Sequence, residues 1–370
     1  MTEKLNICLV SLTFAPDTQD GAAKFFTGIY NYLRNRGHNV IVVTGKWNIE
    51  LPDPNIFQIN IIRKRFFWFP QFNISTIKYL RSHQLDIIHG NSPKGTLPII
   101  LSNKKRFITT IHDLGPFETK FTKIPMEKYL IKLAVQKSTY ITTCSNFIRR
   151  EIKNYIPKVD VNKIFNLYSA IENKYKPYPI EAEKLKEKLK IEGPIILYIG
   201  RIAKYKGVEY IIQAYKIAKK IIPNLNLVMG GKPDFYMEKI YNSWKQKYKD
   251  IHFIGFVSEE EIPIYYSMGD IFITYSYASE GFGLTPIEAI ACGTPVICSS
   301  LIAYREVLKD NVIFVTPRNS HQLAKEIINL LENESSKKNL IQKAQKYIKK
   351  YTWDSVGKKL ENLYKKFLYD

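Results

Sequence analysis

Glu280 and Glu288 bracket the segment Ser279-Glu280-Gly281-Phe282-Gly283-Leu284-Thr285-Pro286-Ile287-Glu288, which follows an apolar run, Ile271–Tyr275. Its two glycines make a flexible loop. Thr285 suits an N-cap, Pro286 the first helical position and Glu288 the third, so Thr285 and Glu288 read as a capping box. A strand, a glycine loop and a helix start together present free backbone N–H groups and a positive dipole end, which is chemistry for a phosphate. Glu280 stands just ahead of the loop, placed to contact whatever the phosphate carries. The plainer alternatives are a helix cap for Glu288 and a surface carboxylate for Glu280.

Upstream, Tyr198-Ile199-Gly200-Arg201 closes another apolar run, and Lys204, Lys206 and Gly207 follow. Arg201 would bring forked donors to a diphosphate and Lys206 a point charge. The alternative is a basic surface turn. Asp20-Gly21-Ala22-Ala23 is a further glycine loop before a helix pattern. Ile111-His112-Asp113 sets a histidine at a strand's carboxyl end, where ligands bind, unless it is a hydrogen-bonded structural histidine. No GxGxxG occurs, which disfavours a nicotinamide dehydrogenase, and no P-loop GKS or GKT. No Asp-x-Asp occurs either, so a metal-bridged diphosphate has no obvious ligands. Cys8, Cys144, Cys292 and Cys298 form no CxxC and sit in or beside apolar runs. They read as buried free thiols in a reducing compartment, and zinc is disfavoured.

The elements that must position these residues follow from hydrophobic patterning. Strands are expected at Asn6–Ser11, Asn39–Val43, Ile56–Ile62, Asp86–His89, Phe107–Ile111, Tyr140–Cys144 and Lys163–Leu167. A second series is expected at Ile195–Ile199, Asn226–Met229, His252–Phe256, Ile271–Tyr275, Pro295–Cys298 and Val312–Val315. Several are apolar throughout, as in a parallel sheet covered on both faces. Helical patterns lie between them, such as Phe25, Phe26, Ile29, Tyr30 and Leu33. The chain has 370 residues, enough for two domains at ~150 each. The Lys/Glu/Pro-rich stretch 173–189 reads as the linker. Two doubly wound Rossmann-like α/β domains, meeting at an interdomain cleft, are the simplest architecture. An amphipathic helix closes the chain. With 45% hydrophobic and 24% charged residues, disorder is excluded. No uncharged apolar run approaches the ~20 residues needed to span a bilayer, and the leading residues lack a basic n-region. A cytoplasmic protein is expected, soluble or peripheral on the membrane.

Taken together, these motifs resemble glycosyltransferase family 4, with the GT-B fold. Glu280 to Glu288 matches its E-x7-E motif, and Ile199-Gly200-Arg201 with Lys206-Gly207 its Gly-Arg…Lys-Gly donor segment. Phe253-Ile254-Gly255-Phe256-Val257 is similar to its base-binding strand and loop, and Gly37-His38-x-Val40 and Ile111-His112-Asp113 to features of its first domain. The resemblance implies residues 1–172 as an acceptor-side domain joined by a terminal helix at about 353–370, and 190–350 as the donor domain. It implies metal-independent transfer of a hexose, with retention of configuration, from a UDP- or GDP-linked sugar to a glycan or lipid-linked acceptor. No further cofactor is implied. Glu288 would bond the ribose, Glu280 the donor sugar's hydroxyls, and Arg201 and Lys206 the diphosphate. Gly255 and Phe256 would lie at the base, and the amides of Phe282, Gly283, Leu284 and Thr285 on sugar and phosphate. Gly21 would close over the diphosphate and His112 lie beside the sugar. Catalysis would fall to Glu280, His112, Arg201 and Lys206. Two departures stand out: Asp20-Gly21 replaces a glycine pair, and Tyr168-Ser169-Ala170-Ile171-Glu172 replaces Asn-Gly-Ile-Asp.

The formal charge is +21, and residues 1–175 hold 25 Lys/Arg against 12 Asp/Glu. Within them, Arg63-Lys64-Arg65-Phe66-Phe67-Trp68 places cations beside aromatics, which suits an anionic membrane interface. The alternative is core aromatics at a strand end. A nucleic-acid-binding or DNA-modifying protein of the same fold would also use a basic first domain. No helix-turn-helix, zinc finger or RNP pattern supports it, so nucleic acid is disfavoured as a partner. A catalytically silent sugar-nucleotide binder is argued against by the intact pair of glutamates.

Overall fold

A computed structural model describes residues 4–18, 20–62, 67–118, 125–278 and 280–370. The expected Arg63, Lys64, Arg65 and Phe66 of the basic aromatic patch lie outside the described residues, as does Ser279. The chain forms two compact units, one of residues 1–170 with 351–370, the other of residues 171–350.

The first unit holds a seven-stranded sheet of β1 (Asn6–Ser11), β2 (Asn39–Lys46), β3 (Ile56–Asn60), β4 (Ile87–Asn91), β5 (Ile108–Ile111), β6 (Tyr140–Thr143) and β7 (Ile164–Asn166). The order is β3-β2-β1-β4-β5-β6-β7, with every pairing parallel. Helices cover both faces: α1 (Gly21–Asn35), α2 (Trp68–Ser82), α3 (Ser92–Leu101), α4 (Gly115–Glu118), α5 (Pro125–Lys137) and α6 (Asn146–Tyr155).

The alternation of β1 explains the layering. Ile7 and Leu9 enter a cluster with Phe25, Phe26, Ile29 and Leu33 of α1. Cys8 and Val10 enter the opposite one with Phe72 and Leu80 of α2 and Ile99 of α3. Successive side chains of a strand point to opposite faces, so a strand covered on both must be apolar along its length. The buried threonines of β5 find side-chain partners, with Thr110 Oγ1 at 2.7 Å from Thr142 Oγ1 of β6 and Thr109 Oγ1 at 2.7 Å from Ser138 Oγ just ahead of β6.

The second unit has six parallel strands: β8 (Ile195–Ile199), β9 (Asn226–Gly230), β10 (Ile251–Gly255), β11 (Ile271–Thr274), β12 (Val296–Ser299) and β13 (Ile313–Val315), ordered β10-β9-β8-β11-β12-β13. Its helices are α7 (Pro179–Leu189), α8 (Val208–Lys219), α9 (Glu238–Lys247), α10 (Ile262–Met268), α11 (Leu284–Ala291), α12 (Ile302–Leu308), α13 (Ser320–Glu332) and α14 (Glu334–Ile348). The linker expected at 173–189 is corrected. Pro177 and Pro179 do not keep this stretch extended, because Pro179 sits where a proline starts a helix, and α7 packs on α10 within the second unit.

The last helix, α15 (Trp353–Tyr369), lies on α1 in the first unit. Two glycines let the helices approach. A Cβ at Gly28 would stand 1.7 Å from Trp353 Cζ2, and one at Gly357 would stand 2.3 Å from Tyr32 Cε1. Tyr364 of α15 reaches the sheet, its hydroxyl 2.8 Å from His89 Nδ1, while His89 Nε2 is 2.8 Å from Thr110 Oγ1. Burial, with His112 nearby, pushes His89 down to about 3, so this link is a neutral one.

Alanine is a better helix former than glycine by roughly 1 kcal/mol. At Gly28 the opposite result is expected, because the Trp353 ring occupies the Cβ position and would have to shift. Gly28→Ala should lower stability by about 1–3 kcal/mol, read from the urea midpoint of the full chain. A midpoint that rises would refute the packing of α15 on α1.

Candidate functional site

Three strand ends build one side of the second unit's site. Gly200 N donates to Gly230 O at 3.0 Å, and Gly231 N donates to Gly255 O at 2.6 Å. A Cβ on Gly231, at φ 136°, would stand 1.8 Å from Gly200 O, so only glycine permits this approach. Gly255 has φ 72° with open space around it. Phe256 beyond it is 54% exposed, with Lys232 Nζ 4.5 Å from its ring centre. An exposed ring beside an open glycine leaves a flat apolar face to solvent.

Arg201 is exposed where β8 leaves the sheet, and its Nη2 donates to Tyr205 OH at 2.7 Å. The chain then makes one tight turn, Lys204–Lys206, closed by Gly207 at φ 60°. A Cβ there would meet Tyr275 O at 2.5 Å, so Gly207 lets this turn press against the end of β11. The result is an ion pair. Lys206 Nζ lies 2.5 Å from Glu280 Oε1, both side chains are mostly buried, and Ser276 Oγ donates to the same oxygen at 2.5 Å. Burial opposes the Lys206 charge, but the Glu280 carboxylate outweighs it and holds the ammonium above the usual lysine range. The structure thus brings Lys206 and Glu280 together and satisfies each with the other.

The capping box is corrected. Helix α11 begins at Leu284 with Gly283 as its N-cap in the left-handed region, φ 90°, and no side chain caps it. A Cβ at Gly283 would stand 2.5 Å from Tyr304 Cε1. This left-handed turn starts the helix one residue before Thr285, so Thr285 lies inside the first turn, whose amides find no partner within a helix. Phe282 is buried beneath the loop, and Leu284 and Thr285 are half-buried. Glu288 is not a cap. It is 4% exposed, and Tyr266 OH donates to its Oε2 at 3.1 Å. Tyr175 lies beside it, with its hydroxyl pushed up first by burial and then by the Glu288 charge and donating to Glu259 Oε2 at 3.4 Å. Neither tyrosine is marked by local sequence, because each meets Glu288 only through the fold.

The first unit has its own polar cavity, of about 330 Å³, where β1 and β4 diverge. Asp20, Asn91, His112, Asp113 and Glu127 line it with Lys94, whose Nζ is 3.0 Å from Glu127 Oε1. Gly21 is exposed and opens α1 directly behind Asp20, whose carboxylate accepts from the Ala22 and Ala23 amides at 3.1 and 2.9 Å. The expected glycine loop is therefore a capped helix start. His112 Nε2 is 2.7 Å from Asn91 Oδ1, and burial, against a weaker opposing pull from Asp20, lowers the ring to about 4. Asn91 escapes notice in sequence because β4 runs two residues past the expected strand end, His89. Among the described residues no group of three or more His, Cys, Asp or Glu is placed to hold a metal ion. Of the expected basic aromatic patch, Phe67 is 64% exposed, and Trp68 opens α2 with its ring centre 6.0 Å from that of Trp47.

A family model described as "Glycosyl transferases group 1" matches residues 180–347, and one described as "Glycosyltransferase Family 4" matches residues 19–168. An uncharacterized glycosyltransferase of Methanocaldococcus jannaschii is 26% identical, over 98% of each chain. Alpha-monoglucosyldiacylglycerol synthase of Acholeplasma laidlawii is also 26% identical, over 90% of each. The solved structure of sucrose-phosphate synthase from Thermosynechococcus elongatus superposes with a TM-score of 0.84 over 98% of both chains at 20% identity, which shows a shared fold.

Removing one partner of a mostly buried ion pair leaves the other charge uncompensated. Lys206→Met and Glu280→Gln should each destabilise the chain, and the double variant should lose less than their sum. A coupling of about 0.5–3 kcal/mol is expected from urea unfolding. Strict additivity would show that the pair does not form.

Proposed function

The chain belongs to the glycosyltransferases of family 4, with the GT-B fold, and we propose that it moves a hexose from a UDP- or GDP-linked sugar to a glycan or lipid-linked acceptor, with retention and without a metal. The observation that carries this reading is the Lys206–Glu280 pair at 2.5 Å, a few residues before the free amides of α11. A cation, a carboxylate and a helix start are then concentrated at the point of β8 and β11 where the crossover helices diverge.

Departure of the nucleotide builds negative charge on its β-phosphate. Arg201, Lys206 and the amides of Gly283, Leu284 and Thr285 would stabilise that charge more in the transition state than in the ground state. These fixed positive groups do what a divalent cation would otherwise do. In the resting site the Lys206 charge is balanced by Glu280. A donor sugar whose hydroxyls bind Glu280 would release Lys206 toward phosphate, so sugar recognition and charge placement become one event. Glu288, held by Tyr266, would accept from the ribose, and Phe256 would offer its face beside Gly255 to the base. The family models and the relatives named above favour this reading over a nucleic-acid role.

A lipid-linked acceptor is supported by the relative whose name makes diacylglycerol its acceptor portion and by the exposed Phe67 beside three cations in sequence. No helix among the described residues is long and apolar enough to cross a membrane. In this reading the protein works as a peripheral enzyme on the cytoplasmic face.

A nucleotide sugar at a hundred times its dissociation constant should stabilise the chain by ~2.7 kcal/mol. A thermal-shift panel of UDP-, GDP- and ADP-sugars should find this for a UDP- or GDP-sugar, and Glu288→Ala should lose it. Transfer in the presence of EDTA, with the product's anomeric configuration read by NMR, should show undiminished rate and retention. Inversion or loss of activity on chelation would refute those parts of the reading. Each cation near anionic lipid contributes ~1 kcal/mol, so reversing Arg63, Lys64 and Arg65 to Glu should lower partitioning onto anionic vesicles at least tenfold. Unchanged co-sedimentation would remove the membrane from the proposal.

A further inference from the structure

His112 stands at the end of a chain of hydrogen bonds whose direction is set from its far end. Ser11 Oγ donates its single proton to Thr13 O at 2.5 Å. That hydroxyl can then only accept from Asn91 Nδ2, which lies 2.7 Å away. Asn91 Nδ2 also lies 3.1 Å from the main-chain O of Ala22, an obligate acceptor. Both contacts require the amide nitrogen on that side, so Oδ1 is the atom facing His112 Nε2 at 2.7 Å. An amide oxygen cannot donate, so Nε2 carries the proton. His112 Nδ1 has no hydrogen-bond partner among the described residues, and the residue lines the first unit's cavity.

We propose that His112 works as a neutral imidazole protonated on Nε2, and that buried Asn91 is the positioning residue that holds it so, leaving Nδ1 to accept a hydrogen bond from a sugar hydroxyl in this cavity. Asp20 and Asp113 line the same cavity, and Glu127 and Lys94 pair across it. Burial of the ring, against the weaker pull of Asp20, keeps it uncharged at neutral pH. A neutral ring with Nδ1 bare cannot act as a general acid or as a cation toward phosphate. It recognises a donor, and a hydroxyl is the donor that an uncharged sugar presents. The last step, from bare nitrogen to sugar, rests on the transferase reading above. The tautomer does not.

The experiment is two-bond proton–nitrogen NMR on the full chain with its six histidines labelled with nitrogen-15, the His112 signals being assigned by their loss in His112→Gln. At pH 7 the expected pattern is a pyrrole-like Nε2 and a pyridine-like Nδ1. A pyrrole-like Nδ1 or an imidazolium would overturn the proposal. Asn91→Asp sets a carboxylate against Nε2 and should raise the pKa of His112 by at least one unit in the same spectra. No movement in a folded variant, checked by circular dichroism, would also overturn it. Asn91→Ala frees the ring, and kcat should fall about ten- to a hundredfold while the KM for nucleotide sugar stays within about twofold. An equal loss in KM would mark Asn91 as merely structural. The spectra read the ring whether or not transfer occurs. The expected pattern in a protein without transferase activity therefore refutes the function and not the tautomer, and the reverse result does the opposite.

Discussion

A parallel sheet that grows outward from its first strand in both directions must send neighbouring crossovers to opposite faces at one place. In the first unit that place is between β1 and β4, followed by α1 on one face and α3 on the other. In the second it is between β8 and β11, where α8 joins the cluster on one face and α11 packs with α10 and α14 instead. Nothing in the sheet fills the gap between diverging chains, so loops that carry polar groups can settle there without displacing core. The Lys206–Glu280 pair and the His112–Asn91 contact are both solutions to that one constraint.

The ion pair shows how a fold keeps two charges among mostly buried side chains. An ammonium or a carboxylate alone among side chains this buried would cost several kcal/mol. Paired at 2.5 Å, with Ser276 on the same carboxylate oxygen, each charge is compensated while the site is at rest. The backbone that brings them together depends on Gly207, which abuts Tyr275 O, and the neighbouring helix start depends on Gly283, which abuts Tyr304. Side chains at either position would push the β8 turn or the α11 turn away from the end of β11. The glycines are therefore as much a part of the electrostatics as the charges.

How much of this was legible in the sequence divides by distance along the chain. The strands of both sheets stand where apolar runs place them, because a strand covered on both faces must be apolar along its length. Glu280, Lys206, Arg201 and His112 were also legible as candidates, since strand ends followed by glycine and charge are local patterns. The capping box failed because a pattern of residue types does not encode φ. Gly283 adopts the left-handed turn and Tyr304, distant in sequence, packs against it. The linker failed because proline both interrupts and initiates helices, and packing of α7 on α10 decided between them. The partners of Glu288 and His112, namely Tyr175, Tyr266 and Asn91, are separated from them by long stretches of chain and carried no local mark.

Charge in the first unit is distributed in a way that composition hides. Residues 1–170 and 351–370 hold 28 Lys/Arg against 14 Asp/Glu, yet the cavity at the strand divergence is lined by Asp20, Asp113 and Glu127 with Lys94 as the cation and His112 held neutral. The two act over different ranges. Surface cations are felt out to about the 8 Å Debye length of physiological salt and favour anions of any kind. At the cavity Asp20 and Asp113 are exposed carboxylates and Glu127 is paired with Lys94, so the local charge is opposite in sign to that of the unit as a whole. Basic composition alone would have pointed to nucleic acid equally well. The cavity's own lining, three carboxylates against one lysine with His112 neutral, is visible only once the fold has brought these residues together.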